Sequence, residues 1–326
     1  MYLEASKFSL WVDFIERHFI ASTMRELIAK GIINGATSNP AIFKNAFTTS
    51  PAYTQIIETY RGKISPKAIY EMLATEDIKA AAQELLGCYE RGDDGYVSIE
   101  VDPTLANDAK ATIEEGKRLF ATIGQPNVMI KIPATEAGYV AMETLVAQGI
   151  NVNATLIFSL SEALSCARAF AKGQEQTTAK VDTVISVFVS RLDRAIDAKL
   201  PHELQAQAGI TNAAYIYNAI EKMQVKNNRI LFASTGVKGN TLITSYYVDN
   251  LLAPNSVNTA PLETIEAFVA NGQTEMALPL SKEEITDFFA TLLEYDIALD
   301  KELVKLKQEG LVAFEEAFAA ILTALE

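Results

Sequence analysis

Short apolar runs alternate with long amphipathic ones along the whole chain. Eight runs read as strands: residues 9–13, 35–39, 96–102, 128–135, 150–158, 183–190, 229–236 and 256–260. Several are β-branched and continuously apolar, the pattern of parallel strands covered on both faces. The second and eighth are poorer in apolar residues and are placed mainly by their position in the alternation.

Helical periodicity fills the spaces between them, at 23–30, 66–91, 105–123, 136–148, 161–172, 202–225, 241–252 and 262–270. Gly31 suits a helix C′ position. Ser159-Leu160-Ser161-Glu162 and Ser281-Lys282-Glu283-Glu284 have capping-box spacing, so each opens a helix. The chain closes on a long amphipathic segment with Leu303, Leu306, Val312, Phe314, Phe318 and Ile321 at its apolar positions.

Eight β–α alternations predict an α/β fold, a (β/α)8 TIM barrel with additional N- and C-terminal helices. An open doubly wound sheet is the alternative. Its nucleotide-binding version lacks support, because neither a Gly-x-Gly-x-x-Gly nor a Walker lysine occurs. Without an internal repeat, a low-complexity tract or a Pro/Gly-rich linker, one domain over 1–326 is expected.

Composition narrows the function. The 326 residues are 49% hydrophobic and carry a net charge of −13 without a basic cluster, which argues against nucleic-acid and anionic-membrane partners. A phosphorylated substrate would then need a local positive pocket. Cys88 and Cys166 are far apart and fall in helix-like stretches, as expected of free buried thiols in a reducing compartment. His18 and His202 belong to no metal-like cluster, so no metal and no cofactor is expected. The charged N-terminus is unlike a signal peptide and no apolar run reaches the ~18 residues of a membrane span, so a cytoplasmic location is expected.

Lys131 changes the picture most. It interrupts Val128-Met129-Ile130-Lys131-Ile132-Pro133-Ala134-Thr135, a run that reads as a buried strand. Desolvation there disfavours the ammonium, and a neutral amine attacks ketones and aldehydes. A lysine paired with a carboxylate, or reaching water from a strand end, is the plainer alternative. The other strand runs, however, also end on polar residues. These are Asp13; Thr37, Ser38 and Asn39; Glu100 and Asp102; Asn151, Asn153 and Thr155; Ser186, Ser190 and Arg191; Ser234, Thr235 and Lys238. In a barrel such residues converge at one mouth. Glu100 could move the protons that carbinolamine dehydration requires, and Asp13 could deprotonate a substrate hydroxyl. Asn39 and Asn153 suit sugar hydroxyls. Arg191 and Lys238, with Ser234, suit a phosphate.

Ala36-Thr37-Ser38-Asn39-Pro40-Ala41-Ile42-Phe43 resembles the first signature of the transaldolase family, and Val128–Thr135 with Glu136-Ala137-Gly138 resembles the second. Three further stretches match in order. They are Gly149–Ser159, which includes Asn151-Val152-Asn153-Ala154-Thr155, then Ile185-Ser186-Val187-Phe188-Val189-Ser190-Arg191, then Ala233-Ser234-Thr235-Gly236-Val237-Lys238. Ser256-Val257-Asn258-Thr259 extends the likeness more weakly. The resemblance implies a (β/α)8 barrel that moves a dihydroxyacetone unit from a ketose phosphate to an aldose phosphate, in the non-oxidative pentose phosphate pathway.

Residue by residue, the resemblance implies that Lys131 forms the Schiff base and that Asp13 is the acid–base group for carbon–carbon cleavage. Glu100 and Thr155 match the pair that holds a proton-relaying water. Asn39 and Asn153 match contacts to the dihydroxyacetone moiety, with Ser186 in the same pocket. Arg191 and Ser234 match phosphate ligands. Many transaldolases carry Ala-Ser-Phe-Arg at the seventh strand, where this chain has Ala233-Ser234-Thr235-Gly236-Val237-Lys238, similar to a longer-chain bacterial branch. The phosphate role of that arginine is assigned to Lys238. The competing activity is a fructose 6-phosphate aldolase-type lyase that releases free dihydroxyacetone. Such relatives are shorter and carry tyrosine where this chain has Phe188. Small-molecule sugar phosphates are the expected partners, and a homodimer is left open.

Overall fold

A computed structural model describes residues 2–239 and 241–326. Its eight strands are β1 (Ser9–Val12), β2 (Gly35–Thr37), β3 (Tyr96–Glu100), β4 (Val128–Pro133), β5 (Asn151–Ile157), β6 (Thr183–Phe188), β7 (Asn228–Ala233) and β8 (Ser256–Ala260). They close a barrel in sequence order, each parallel to its neighbours, with β8 pairing back onto β1. The (β/α)8 barrel is therefore the fold, and the open sheet is excluded.

The alternation of side chains along each strand produces two apolar layers. Val12, Val97, Ile130, Val152, Ile185 and Phe232 join the large cluster formed with the surrounding helices. Neighbours in sequence of several of them, Trp11, Met129, Val184 and Leu231, belong with Val257 of β8 to a second buried cluster.

Several predicted strands stop earlier than their apolar runs suggest. The run 35–39 pairs only to Thr37, because Asn39 turns to cap the helix Pro40–Thr49 by accepting from the Ile42 amide. The run 183–190 ends at Phe188, since Ser190 already starts the helix Ser190–Ile196. The run 229–236 ends at Ala233, beyond which Ser234 takes a left-handed φ of 56°. The short helices Pro40–Thr49 and Ser190–Ile196 are absent from the periodicity reading. Both grow out of the polar stretches that end strands.

The helix expected at 105–123 begins at Ala109, capped by Asp108. The one expected at 202–225 divides into a 3-10 turn, His202–Leu204, and the helix Ala208–Met223. Of 241–252 only Tyr246–Asp249 is helical, and Ile243 before it lies exposed. Both predicted capping boxes form completely. Cys88 and Cys166 are free and buried, and both histidines are exposed. Among the described residues no helix is long and apolar enough to cross a membrane.

The closing helix, Leu299–Leu325, lies against Pro40–Thr49, Pro66–Glu90, Ser190–Ile196 and β5. It thus crosses the C-terminal end of the barrel. Leu303, Leu306, Phe314, Phe318 and Ile321 are buried there, whereas Val312 points outward.

Candidate active site

Parallel pairing sets the height of each side chain in the barrel. Glu100 stands opposite Lys131 in the register of β3 with β4, and Lys131 opposite Asn153 in that of β4 with β5. Three inward-facing polar groups on adjacent strands thus share one level. Lys131 is only 5% exposed and Glu100 6%. The Lys131 ammonium lies 3.4 Å from Glu100 Oε2 and donates to the Ser38 carbonyl at 3.1 Å. Lys131 is therefore both buried and paired with a carboxylate.

Glu100 is held by charge alone. Among the described residues neither carboxylate oxygen has a hydrogen-bond partner, and neither does the buried Thr155 hydroxyl on β5. Burial pushes the Glu100 carboxyl up to about 7, against the downward pull of Lys131. A group near neutrality both accepts and returns protons at working pH. Partnerless oxygens in such a place suit a bridging water.

Asp13 follows β1 directly and tethers its backbone amide to the Ala260 carbonyl. Its carboxylate accepts from Thr37 Oγ1 at 2.6 Å, and that hydroxyl is also 2.6 Å from Thr259 Oγ1. Burial raises its pKa, and the charge of Lys131 and the Thr37 hydroxyl oppose the rise. A second polar chain runs through Asn153. Asn153 donates to Ser98 Oγ at 3.0 Å and accepts from Ser186 Oγ at 2.6 Å, which fixes its amide orientation.

Asp13, Asn39, Lys131, Ser186, Phe188, Arg191 and Ser234 line one cavity at the C-terminal ends of the strands. Glu100, Asn153 and Thr155 are buried on neighbouring strand positions. Arg191 stacks over the Phe188 ring, its guanidinium carbon 5.1 Å from the centroid. Among the described residues it has no ion-pair or hydrogen-bond partner, so its donors are free for an anion. Burial, then the nearby Arg194, lower its basicity. Ser190 Oγ sits 3.1 Å from Ser234 Oγ and accepts from Arg194 at 3.3 Å, which adds donors to that side of the mouth. The same places suit a phosphate.

Lys238 is the exception. It is exposed and absent from the cavity wall. The structure does not bring it to the other residues.

Two groups come from the closing helix. Phe314 lines the cavity with the Lys131 ammonium 5.7 Å from its ring centroid. Lys307 donates to the carbonyls of Ala134 and Leu156 and lies 3.2 Å from Glu162 Oε1. The periodicity that marked Phe314 as apolar has no sign of what it covers. The lysine looks like any solvated helix lysine until the barrel is closed.

The family described as transaldolase/fructose-6-phosphate aldolase matches residues 10–325. A protein named transaldolase from Helicobacter pylori (strain Shi470) is 46% identical over 97% of this chain and 99% of its own. One of the same name from Campylobacter jejuni subsp. jejuni serotype O:23/36 (strain 81-176) is 45% identical over 98% of this chain and 99% of its own.

Proposed function

The chain belongs to the transaldolase/fructose-6-phosphate aldolase family and is an enzyme of transaldolase type; on that premise we propose that Lys131 is its Schiff-base nucleophile. The supporting observation is a buried amine 3.4 Å from a carboxyl poised near neutrality, at the mouth of the barrel.

In the proposed reaction the Lys131 amine adds to the ketose carbonyl. Glu100, through a water shared with Thr155, protonates the carbinolamine hydroxyl, which leaves as water to give the iminium. Asp13 takes the proton of the substrate hydroxyl one carbon beyond the bond to be broken. That bond breaks, the aldose leaves, and its electrons remain as an enamine on Lys131. An incoming aldose phosphate accepts the enamine carbon, and the steps run backward. Asn39, Asn153 and Ser186 hold the dihydroxyacetone hydroxyls. Arg191 and Ser234 hold the phosphate.

The substrates proposed are sedoheptulose 7-phosphate or fructose 6-phosphate as donor, and glyceraldehyde 3-phosphate or erythrose 4-phosphate as acceptor. The buried free thiols fit the reducing cytoplasm as the site of action.

Incubation with fructose 6-phosphate and borohydride should leave a dihydroxyacetone adduct on Lys131, read by peptide mass spectrometry. Lys131→Ala should lose both adduct and turnover, because the other described cavity-lining residues include no second lysine. Substantial trapping by that variant would remove the assignment.

A further inference from the structure

The closing helix presents one face to the barrel mouth. Lys307 and Phe314 are seven residues apart, about two helical turns, so they lie on the same side. Between them Gly310 brings the backbone close. A Cβ there would stand 3.1 Å from the Leu156 side chain and 3.5 Å from Arg191.

Lys307 is largely buried, with 12% of its side chain exposed, and its three partners belong to three elements. Ala134 follows β4, the strand of Lys131. Leu156 is on β5, next to Thr155, at a register shift where its φ is 56°. Glu162 is the capping glutamate of the helix Leu160–Glu175, and its other oxygen accepts from the Phe158 and Ser159 amides. A buried ammonium with two carbonyls and a carboxylate is fully committed, and no step of the reaction uses it. Arg61 and Lys199 also reach across this helix system, to the Ala324 carbonyl and to Glu302, but both do so from exposed positions.

We infer that Lys307 is a positioning residue. It pins the closing helix to the ends of β4 and β5, which sets Phe314 over Lys131 and keeps water from the intermediate formed there. The inference rests on the proposed Schiff-base reaction. After cleavage the enamine has two fates. Addition of its carbon to an aldehyde forms the new carbon–carbon bond. Protonation of that carbon instead returns the iminium; water adds to its carbon, the carbon–nitrogen bond breaks, and free dihydroxyacetone and the Lys131 amine are released. Only the second fate consumes water, so a displaced Phe314 favours it.

The measurement is the ratio of free dihydroxyacetone release to transfer, with melting temperature and borohydride trapping alongside. Lys307→Met should raise the ratio by about fivefold or more while Lys131 is still trapped. Phe314→Leu should do the same. The double variant should match the single Phe314→Leu, since Lys307 acts through that ring. If Lys307→Met does not fold, Lys307→Gln, which keeps a donor for one carbonyl, carries the measurement.

A variant at 307 that is folded, trapped and less stable, yet has an unchanged ratio, would show a purely structural lysine. Full additivity in the double variant would equally overturn the inference. Loss of trapping in the unsubstituted enzyme would instead remove the Schiff-base reading itself.

Discussion

The two ends of the barrel are built from the same strands and treat polar groups in opposite ways. At the N-terminal end, Arg229 at the start of β7 binds Asp94 at 2.6 Å, the carbonyls of Lys7 and Ser256, and the Ser9 hydroxyl. Asp94 also accepts from Trp11 Nε1 at 3.0 Å, and the Tyr96 hydroxyl donates to Asp182 at 2.7 Å. Only Arg229 Nε among these groups lacks a partner. Gly35 makes room for the plug, because a Cβ there would lie 2.5 Å from the Trp11 ring. At the other end, among the described residues, the carboxylate of Glu100, four residues past Tyr96 on β3, and the Thr155 hydroxyl on β5 have no hydrogen-bond partner, and Arg191, on the helix Ser190–Ile196, keeps its donors unengaged. The closed end holds the barrel together. The open end leaves bonding capacity unused, at a cost in stability.

Glu100 is the sharpest place to break this contrast. Glu100→Gln should slow Schiff-base formation by roughly 10²–10⁴-fold, the range of general acid–base help, in single-turnover trapping. Asp13→Asn should instead permit the adduct and block cleavage. Failure of both at the same step would merge the two roles.

The same carboxyl predicts a stability signature. Its folded value is raised, from 4.5 to about 7. Between those values the unfolded chain has released the proton while the folded protein keeps it, so stability falls as pH rises. Glu100's contribution is thus fully present below about 4.5 and lost once pH passes about 7. Asp13 is raised as well and acts in the same direction. The melting-temperature difference between unsubstituted enzyme and Glu100→Gln should decline across that window. A flat difference would deny Glu100 its unusual environment.

At the closed end the expectation is reversed. Arg229→Met leaves Asp94 largely buried beside a lost cation and should cost about 3 kcal/mol in urea unfolding. Turnover per folded molecule should stay near that of the unsubstituted enzyme. A large fall in turnover with little loss of stability would mean that the plug communicates with the mouth.

Much of this contrast is legible in the amino-acid order, and the limits are physical. A lysine inside Val128–Pro133 stands out because every neighbour is apolar. The capping boxes at Ser159 and Ser281 are local patterns, so they formed as read. The run to Asn39 overshoots because Asn39 turns to cap the next helix, and the run to Ser190 because apolar Val189 follows the last strand residue. Lys307 and Phe314 were illegible as site residues for another reason. Their roles depend on where a helix some 170 residues away from Lys131 in sequence lands, and amphipathicity specifies a face without naming its partner. Arg229 and Asp94, similarly, are ordinary strand and loop charges until the fold brings positions 135 apart in sequence to 2.6 Å.

The smallest effects concern the phosphate side of the mouth, where Arg191 and Lys238 were expected to act together. Arg191 is in the cavity wall with its donors unengaged, stacked on Phe188. Removing it should raise KM for phosphorylated donors by roughly 10- to 100-fold, the equivalent of about 1.5–3 kcal/mol for hydrogen bonds to a charged group. Unphosphorylated dihydroxyacetone donors should change far less. Equal losses on both would make Arg191 a support for Phe188 and the Gly310 contact rather than an anion ligand. Lys238 is exposed and absent from the wall, four residues past Ser234. An exposed lysine there acts only as a screened charge. Lys238→Ala should therefore shift KM by no more than about twofold at physiological salt, and somewhat more at low ionic strength, as expected of steering without contact. A loss at 238 as large as that at 191, insensitive to salt, would mean that the segment folds inward when a phosphate is bound and that its lysine replaces the missing seventh-strand arginine.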